Sequence, residues 1–361
     1  MAEDDDDYFI EQFSPTTDDI PKLAALINAA FKDPKGSLGF NDDTFNLMFG
    51  SPYTEKDLFV RVFYKPTNEL VGFTGAIPRN IVYQGKTYKF GIGTWASVHA
   101  DHQKKGLGQR MGLKLIDIGK ERDYDGGIGT FEPERHGKDA ARHVVASTGM
   151  PVQDCPPINK MIVRILNLGQ IARIVGMKGI ERFGLKLLHR PPTPMNPPNP
   201  RIRIFNPDED GERIYELMAD HVTHNQLSFV REHDDFLWYF HQPGILCIVN
   251  ENDQRQVDGF LLAWKMMLAG ATHEEPFGWM DNVHFYNLTP RDAVDMCKCM
   301  CIEARDMGWA GLQMPHLPYF DHHPFRKAGF LLIPRDVFMK LYYYKPVDFP
   351  RKITSFYFDW R

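Results

Sequence analysis

Gln103-Lys104-Lys105-Gly106-Leu107-Gly108 is the stretch that decides how this 361-residue chain is read. A strand-like run, Gly93-Thr94-Trp95-Ala96-Ser97-Val98, stands before it. A helix-like run from Gln109 to Ile118 follows it. A glycine turn lets backbone N–H groups crowd around an anion, and the start of a helix adds partial positive charge. Lys104 and Lys105 add full charges beside it. The physical reading is a phosphate cradle between a strand and a helix.

Two common phosphate cradles do not fit. A P-loop needs Gly-x-x-x-x-Gly-Lys followed by Ser or Thr, which is absent here. A dinucleotide fingerprint needs Gly-x-Gly-x-x-Gly directly after a strand. Gly106, Gly108 and Gly112 are one residue too long for it, and the charged turn from Asp101 to Lys105 intervenes.

The stretch resembles instead the Gln/Arg-x-x-Gly-x-Gly/Ala loop of the GNAT superfamily of N-acetyltransferases, with Gln103, Gly106 and Gly108 in the matching positions. The order of segments supports the resemblance over residues 8–150. Val71-Gly72-Phe73-Thr74 looks like the third strand of that family, residues 81–90 its hairpin partner around Gln84-Gly85, residues 93–99 the fourth strand and 126–131 the fifth. Residues 140–150 look like the last helix, closed by Gly149. The resemblance implies an α/β (α+β) fold with a mixed, mostly antiparallel twisted sheet flanked by helices. It also implies an acyl-CoA co-substrate, acetyl-CoA first among them. Amides of Lys105, Gly106, Leu107, Gly108 and Gln109 would then hold the pyrophosphate, and the backbone of Ala96, Ser97 and Val98 would hold pantetheine and polarise the thioester carbonyl.

Residues 8–31 read as a strand and an amphipathic helix, with Asp18 and Asp19 favouring the helix start. Residues 158–190 are basic and apolar at roughly helical spacing, which predicts a helical connector. The proline-dense run at 191–200 follows, and it favours an extended spacer. Beyond it the pattern starts again: strand, helix, paired strands around Val257-Asp258-Gly259-Phe260, and a helix from Pro290. The expected organisation is tandem: 1–157 an acyl-CoA-binding lobe, 158–200 a connector, and 201–361 a degenerate second lobe. Where the first copy has its glycine loop, the second has Asn287-Leu288-Thr289-Pro290-Arg291-Asp292, and Pro290 removes an N–H donor. The second lobe is expected to have lost donor binding. The phrase from Arg231 to Trp238 resembles locally the second lobe of the Eis-like aminoglycoside acetyltransferases.

Acyl transfer to an amine needs a base for the amine, a stabilised oxyanion and an acid for the thiolate. Many members of the family carry a glutamate on the fourth strand, where this chain has Thr94, Ser97 and His99. Many carry a tyrosine four residues before the glycine closing the last helix, where this chain has Val145. The candidate bases are therefore Glu132 on the outgoing fifth strand, His99, and, at the aromatic chain end Phe356-Tyr357-Phe358-Asp359-Trp360-Arg361, Asp359 or the carboxylate of Arg361. Glu132 has a competing reading as a surface partner of Arg135.

Composition bounds the rest. Hydrophobic residues make up 43% and charged residues 25%, ordinary values for a globular chain. A net charge of −5 leads us to expect no nucleic-acid partner. No apolar run is long enough to span a bilayer, and the acidic N-terminus lacks the apolar stretch of a signal peptide. A membrane partner is not expected and a cytoplasmic setting is. The five cysteines are expected to be reduced and structural. Neither Cys297, Cys299 and Cys301 nor the group of His316, Asp321, His322 and His323 has metal-site spacing, so no metal is expected. The acceptor is expected to be a small-molecule or peptide amine. Self-association and a non-catalytic role as an acyl-CoA sensor stay open at this point.

Overall fold

The computed structural model describes residues 7–32, 37–53, 55–132, 137–176, 191–193, 195, 197–270 and 273–360. The first half runs β1 (Tyr8–Phe13), α1 (Ile20–Phe31), β2 (Ser37–Gly39), α2 (Asp42–Phe49), β3 (Phe59–Tyr64), β4 (Glu69–Tyr83), β5 (Lys86–Val98), α3 (Leu107–Glu121), β6 (Gly126–Phe131), α4 (Gly137–Thr148), β7 (Val152–Asp154), β8 (Ile158–Ile165) and α5 (Leu168–Ile174). The second half runs β9 (Ile202–Ile204), α6 (Pro207–His224), β10 (Leu227–Val230), α7 (His233–Phe240), β11 (Ile245–Glu251), β12 (Val257–Ala269), β13 (Glu274–His284), α8 (Pro290–Asp306), β14 (Gly311–Pro315), α9 (His323–Lys327), β15 (Leu331–Tyr343) and β16 (Phe356–Tyr357).

Local chemistry sets these boundaries. Asp19 accepts hydrogen bonds from the Thr16 amide and hydroxyl, at 2.9 and 2.7 Å, and this turn delays α1 to Ile20. The Asn41 side chain accepts from the Thr44 amide at 2.9 Å and starts α2. The three strand segments expected between residues 71 and 99 are two long strands in one hairpin, β4 and β5. Gln84 and Gly85 take φ of 48° and 74° at its tip, the left-handed pair that a two-residue turn demands.

One continuous sheet results, in the order β1-β3-β4-β5-β6-β15-β8-β14-β13-β12-β11-β9. Its neighbours are antiparallel except β5–β6 and β13–β14, which are parallel and joined by crossover helices α3 and α8. The two halves exchange strands at the centre: β15 pairs with β6, while β8 pairs with β14 and β15. This corrects the helical reading of residues 158–190. Residues 158–165 are strand, α5 is short, and 177–190 lie outside the described residues. The β-branched run Ile162-Val163-Arg164-Ile165 suits a pleated, half-buried surface better than the helical spacing suggested.

The halves also repeat a detail. Between β4 and β5, Phe73 faces Ser97 and Gly75 faces Thr94, so Thr74 of β4 stands opposite both Trp95 and Ala96 of β5. On β13, Leu262 faces Asn282 and Ala263 faces Met280, which leaves Asp281 as the extra residue. Each strand therefore carries a bulge near the end that precedes its crossover helix.

The main core spans both halves, from Phe45, Phe59 and Phe73 to Phe260, Trp309 and Phe356. A second cluster, with Val60, Val62, Val71, Leu107 and Met111, packs under α3. The chain end is fixed by charge as well as by apolar contact. Asp359 is fully buried and accepts from Arg79 Nε at 3.0 Å and Arg231 Nε at 2.6 Å. Arg231 also bonds Asp281 at 3.2 Å, and the Trp360 amide donates to Asp281. Arg79 lies on β4 of the first half, so the cluster ties the tail and both halves together.

Removing one partner from a buried ion cluster leaves the other charges uncompensated, at a cost of about 3–5 kcal/mol. Asp359→Ala is expected to lose that much stability in urea unfolding. Burial, and then the neighbouring Asp359 carboxylate, push the Asp281 carboxyl up to about 7. The folded protein thus holds a proton that the unfolded chain releases near pH ~4. Stability from this group is present at low pH and is lost as pH rises from about 4 toward 7. Asp281→Asn keeps one of the two acceptor oxygens that serve Arg231 and Trp360 and removes the titrating proton, so it is expected to lower stability overall and to flatten that part of the stability–pH profile.

Candidate functional site

The loop between β5 and α3 is built on two left-handed residues. Lys104 has φ of 62° and Gly106 a φ of 74°. Glycine takes this conformation freely, whereas a lysine there is uncommon and is held by its surroundings. A Cβ placed on Gly106 would meet nothing within 4 Å, so the space above it is open.

Those surroundings lie beneath the loop. The Gln103 side chain donates to the Val98 carbonyl at 3.2 Å and ties the loop to the end of β5. Tyr8 on β1 shares a 2.9 Å hydrogen bond with His102 Nδ1, and Tyr64 on β3 packs against the same imidazole at 4.8 Å. The Lys105 ammonium lies 5.6 Å from the centroid of the Tyr8 ring, and the neighbouring Tyr8 hydroxyl holds it above its ordinary range. Gln103 to Gly106 remain exposed, while Leu107 is buried beneath them.

The amides point outward for a simple reason. The first bond of α3 is Arg110 N–H to the Gly106 carbonyl at 3.0 Å, so Leu107, Gly108 and Gln109 are the donors of the opening turn, with no helical acceptor. Gly106 supplies no side-chain cap. Gly112 serves packing instead: a Cβ there would lie 3.2 Å from Val144 of α4.

Next to this turn the sheet opens. Pairing of β5 with β6 ends at Ile92 and Ile128. β5 continues to Val98 beside β4, while β6 continues to Phe131 beside β15. A V-shaped gap separates residues 94–98 from residues 129–131. Ala96 is exposed at this gap, Val98 is half-buried, and Ser97 is buried with its hydroxyl donating to the Trp95 carbonyl at 2.8 Å. Trp95 has φ of 55° at the bulge.

The candidate bases fall in different places. Glu132 directly follows β6 and pairs with Arg335 of β15 at 2.6 Å, whereas the expected competitor Arg135 lies outside the described residues. His99 is half-exposed, and its Nδ1 accepts from the Asp101 amide at 3.4 Å, capping the turn before the cradle. Asp359 is not an open base. Two arginines hold it in the interior, and the tail expected to bring it to the site anchors it there instead. Arg361 lies outside the described residues. Arg231 and Asp235, in the phrase that carried the local Eis-like resemblance, are buried in the same ion cluster.

Among the described residues no group of three His, Cys, Asp or Glu is placed to hold a metal ion. No helix among them is long and apolar enough to cross a membrane. Trp95, Tyr8, Tyr64 and His102 were not singled out in the sequence. The echo of Trp95-Ala96-Ser97-Val98-His99 in Trp279-Met280-Asp281-Asn282-Val283-His284 was the available signal for the bulge.

The family model described as Acetyltransferase (GNAT) domain matches residues 14–128, the segment that contains the loop, the bulge and the β5 side of the gap. Residues 14–128 belong to the GNAT superfamily. The whole chain shares its fold with N-myristoyltransferase from Saccharomyces cerevisiae. One structure of that enzyme with bound myristoyl-CoA superposes with a TM-score of 0.74 at 14% identity, over 94% of this chain and 84% of that one. A second, also with myristoyl-CoA, gives 0.74 at 15% over 94% and 80%. A third, with myristoyl-CoA and inhibitors, gives 0.72 at 15% over 93% and 80%. No curated protein matches the sequence. The GNAT domain thus coincides with the part of the first half whose backbone donors are exposed.

The left-handed conformation at Gly106 makes a specific demand. Gly106→Val is expected to cost about 1–2 kcal/mol, read by urea unfolding, because strain and not collision is the penalty at this open position.

Proposed function

We propose that this protein is an acyl-CoA-dependent N-acyltransferase that moves the acyl group to an amine by direct attack in a ternary complex. The observation that carries this reading is the β5–β6 gap lying directly beside the amides of the α3 opening turn. An anion at Leu107, Gly108 and Gln109, flanked by Lys104 and Lys105, leaves a pantetheine-sized arm free to run along residues 96–98 as an added strand would. Acetyl-CoA is the donor proposed, and a small-molecule or peptide amine the acceptor. Myristoyl-CoA bound to the yeast enzymes of the same fold supports an acyl-CoA donor in this one.

In this proposal the amine nitrogen attacks the thioester carbon, the C–S bond breaks, and the CoA thiolate leaves and is protonated. Backbone N–H groups at the β5 bulge stabilise the oxyanion. For the proton released by the amine, Glu132 and the carboxylate of Arg361 are the two proposed acceptors. His99 is third, because its ring caps a turn. We keep the two-lobed organisation as part of the proposal, with 1–157 holding the donor and 201–361 walling the acceptor side, while residues 158–165 are a strand of the shared sheet and not connector. A cytoplasmic setting fits five cysteines that are all free thiols, four of them buried.

The test is release of free thiol from acetyl-CoA across a panel of amines. Release that requires an amine supports the enzyme. Tight CoA binding with no release from any acyl-CoA would instead indicate a sensor, the reading favoured by Val145 at the position expected to hold a tyrosine acid. Lys104→Ala with Lys105→Ala is expected to weaken CoA binding by about tenfold, with a shallower dependence on salt, because two positive charges beside the proposed phosphate position are removed. Glu132→Gln is expected to lower kcat by about 10²–10⁴ if Glu132 is the base. If it does not, a one-residue extension beyond Arg361 should do so instead.

A further inference from the structure

Resting on the donor reading above, we infer that Trp95 limits the length of the acyl chain and makes this protein specific for short acyl groups. Trp95 sits at the β5 bulge, one residue from the exposed Ala96 backbone that lines the gap. Its positive φ turns the indole toward α1 and α2 and not along the strand. The ring meets Phe40 at 4.8 Å and Phe31 at 5.6 Å, both edge-on, and its Nε1–H points at Met48 Sδ at 3.0 Å.

Two faces of the sheet are available to an acyl chain leaving a thioester at the bulge. The α3 face is filled by Val71, Leu107 and Met111, all buried. A Cβ on Gly72 would already lie 3.0 Å from Val62 and 3.1 Å from Met111, so that side has no room. The chain must therefore pass the α1–α2 face, where Trp95 stands. Behind the indole the aromatic rings are continuous: Phe40 on Phe45 at 5.8 Å, Phe45 on Phe49 at 5.0 Å, Phe49 on Phe59 at 5.0 Å and Phe59 on Phe73 at 6.1 Å. Phe40, Phe45, Phe49, Phe59 and Phe73 are buried at 5% exposure or less. Interiors of this kind are close-packed, and overfilling them forces rotamers and backbone to move. A myristoyl-length chain meets this wall; an acetyl or propionyl group stops short of it.

Direct binding tests this without turnover. Titration calorimetry compares free CoA with acetyl-, butyryl-, octanoyl- and myristoyl-CoA on the intact chain. A fitted apolar pocket discriminates one methylene by about 10–200-fold. Octanoyl-CoA is therefore expected to bind at least about tenfold more weakly than acetyl-CoA. Trp95→Ala, and the milder Trp95→Leu, are expected to remove that difference while leaving affinity for free CoA unchanged. Free CoA that binds with a flat or rising chain-length profile in the unaltered protein overturns this inference and leaves the donor reading intact. No binding of free CoA overturns both. The unaltered protein's profile decides the matter even if neither variant folds.

Discussion

The extra residue in β5 opposite Thr74 is the constraint on which the site depends. A regular β5 would stay in register with β4 and keep its parallel pairing to β6 beyond Ile92. The bulge bends the strand instead, and a residue with positive φ at Trp95 turns the side chain out of the alternating pattern. β6 keeps a full set of partners only because β15 comes from the other half of the chain to pair with it. The gap is therefore backbone that would have been sheet, with its polar groups left to face the cleft. Such groups must be satisfied when covered, by water or by a ligand. The α3 opening turn adds three more donors at one end of that gap.

The same strand exchange accounts for the buried charge. Closing the second half against the first brings Arg79 of β4 beside Arg231 and the tail. Two arginines in an interior need carboxylates, and Asp359, Asp281 and Asp235 surround them. Such clusters add little net stability compared with apolar packing, but losing any member costs a great deal. The tail is positioned by this charge pattern together with the short parallel pairing of β16 to β10. In the second half the Tyr319 hydroxyl accepts from the Val283 amide at 3.3 Å. A side chain there occupies a strand-end donor of β13, whereas the corresponding end of β5 stays open beside the glycine loop.

Much of this was legible in residue order. The glycine spacing after Gln103, the acidic start of the first helix, and the strand pattern from Val71 to Phe131 each reflect local rules, and local rules are written in neighbouring residues. Residues 158–165 misled because a short apolar run does not by itself separate a helix from a strand, and the choice was made by β14 and β15, more than 140 residues away. Asp359 misled for a related reason. It reads as a base beside an aromatic chain end until two arginines from distant strands are brought to it.

The sequence by itself determined that a strand, a glycine turn and a helix meet at Gly106, because left-handed backbone and free helix donors are properties of a few adjacent residues. Only the tertiary structure decided that β5 and β6 part at Ile92, that Trp95 blocks the α1–α2 side of the gap, and that the tail is locked by Arg79 and Arg231. Each of these depends on groups far apart in the chain reaching one point, and chain-local chemistry does not specify which distant strand supplies the partner.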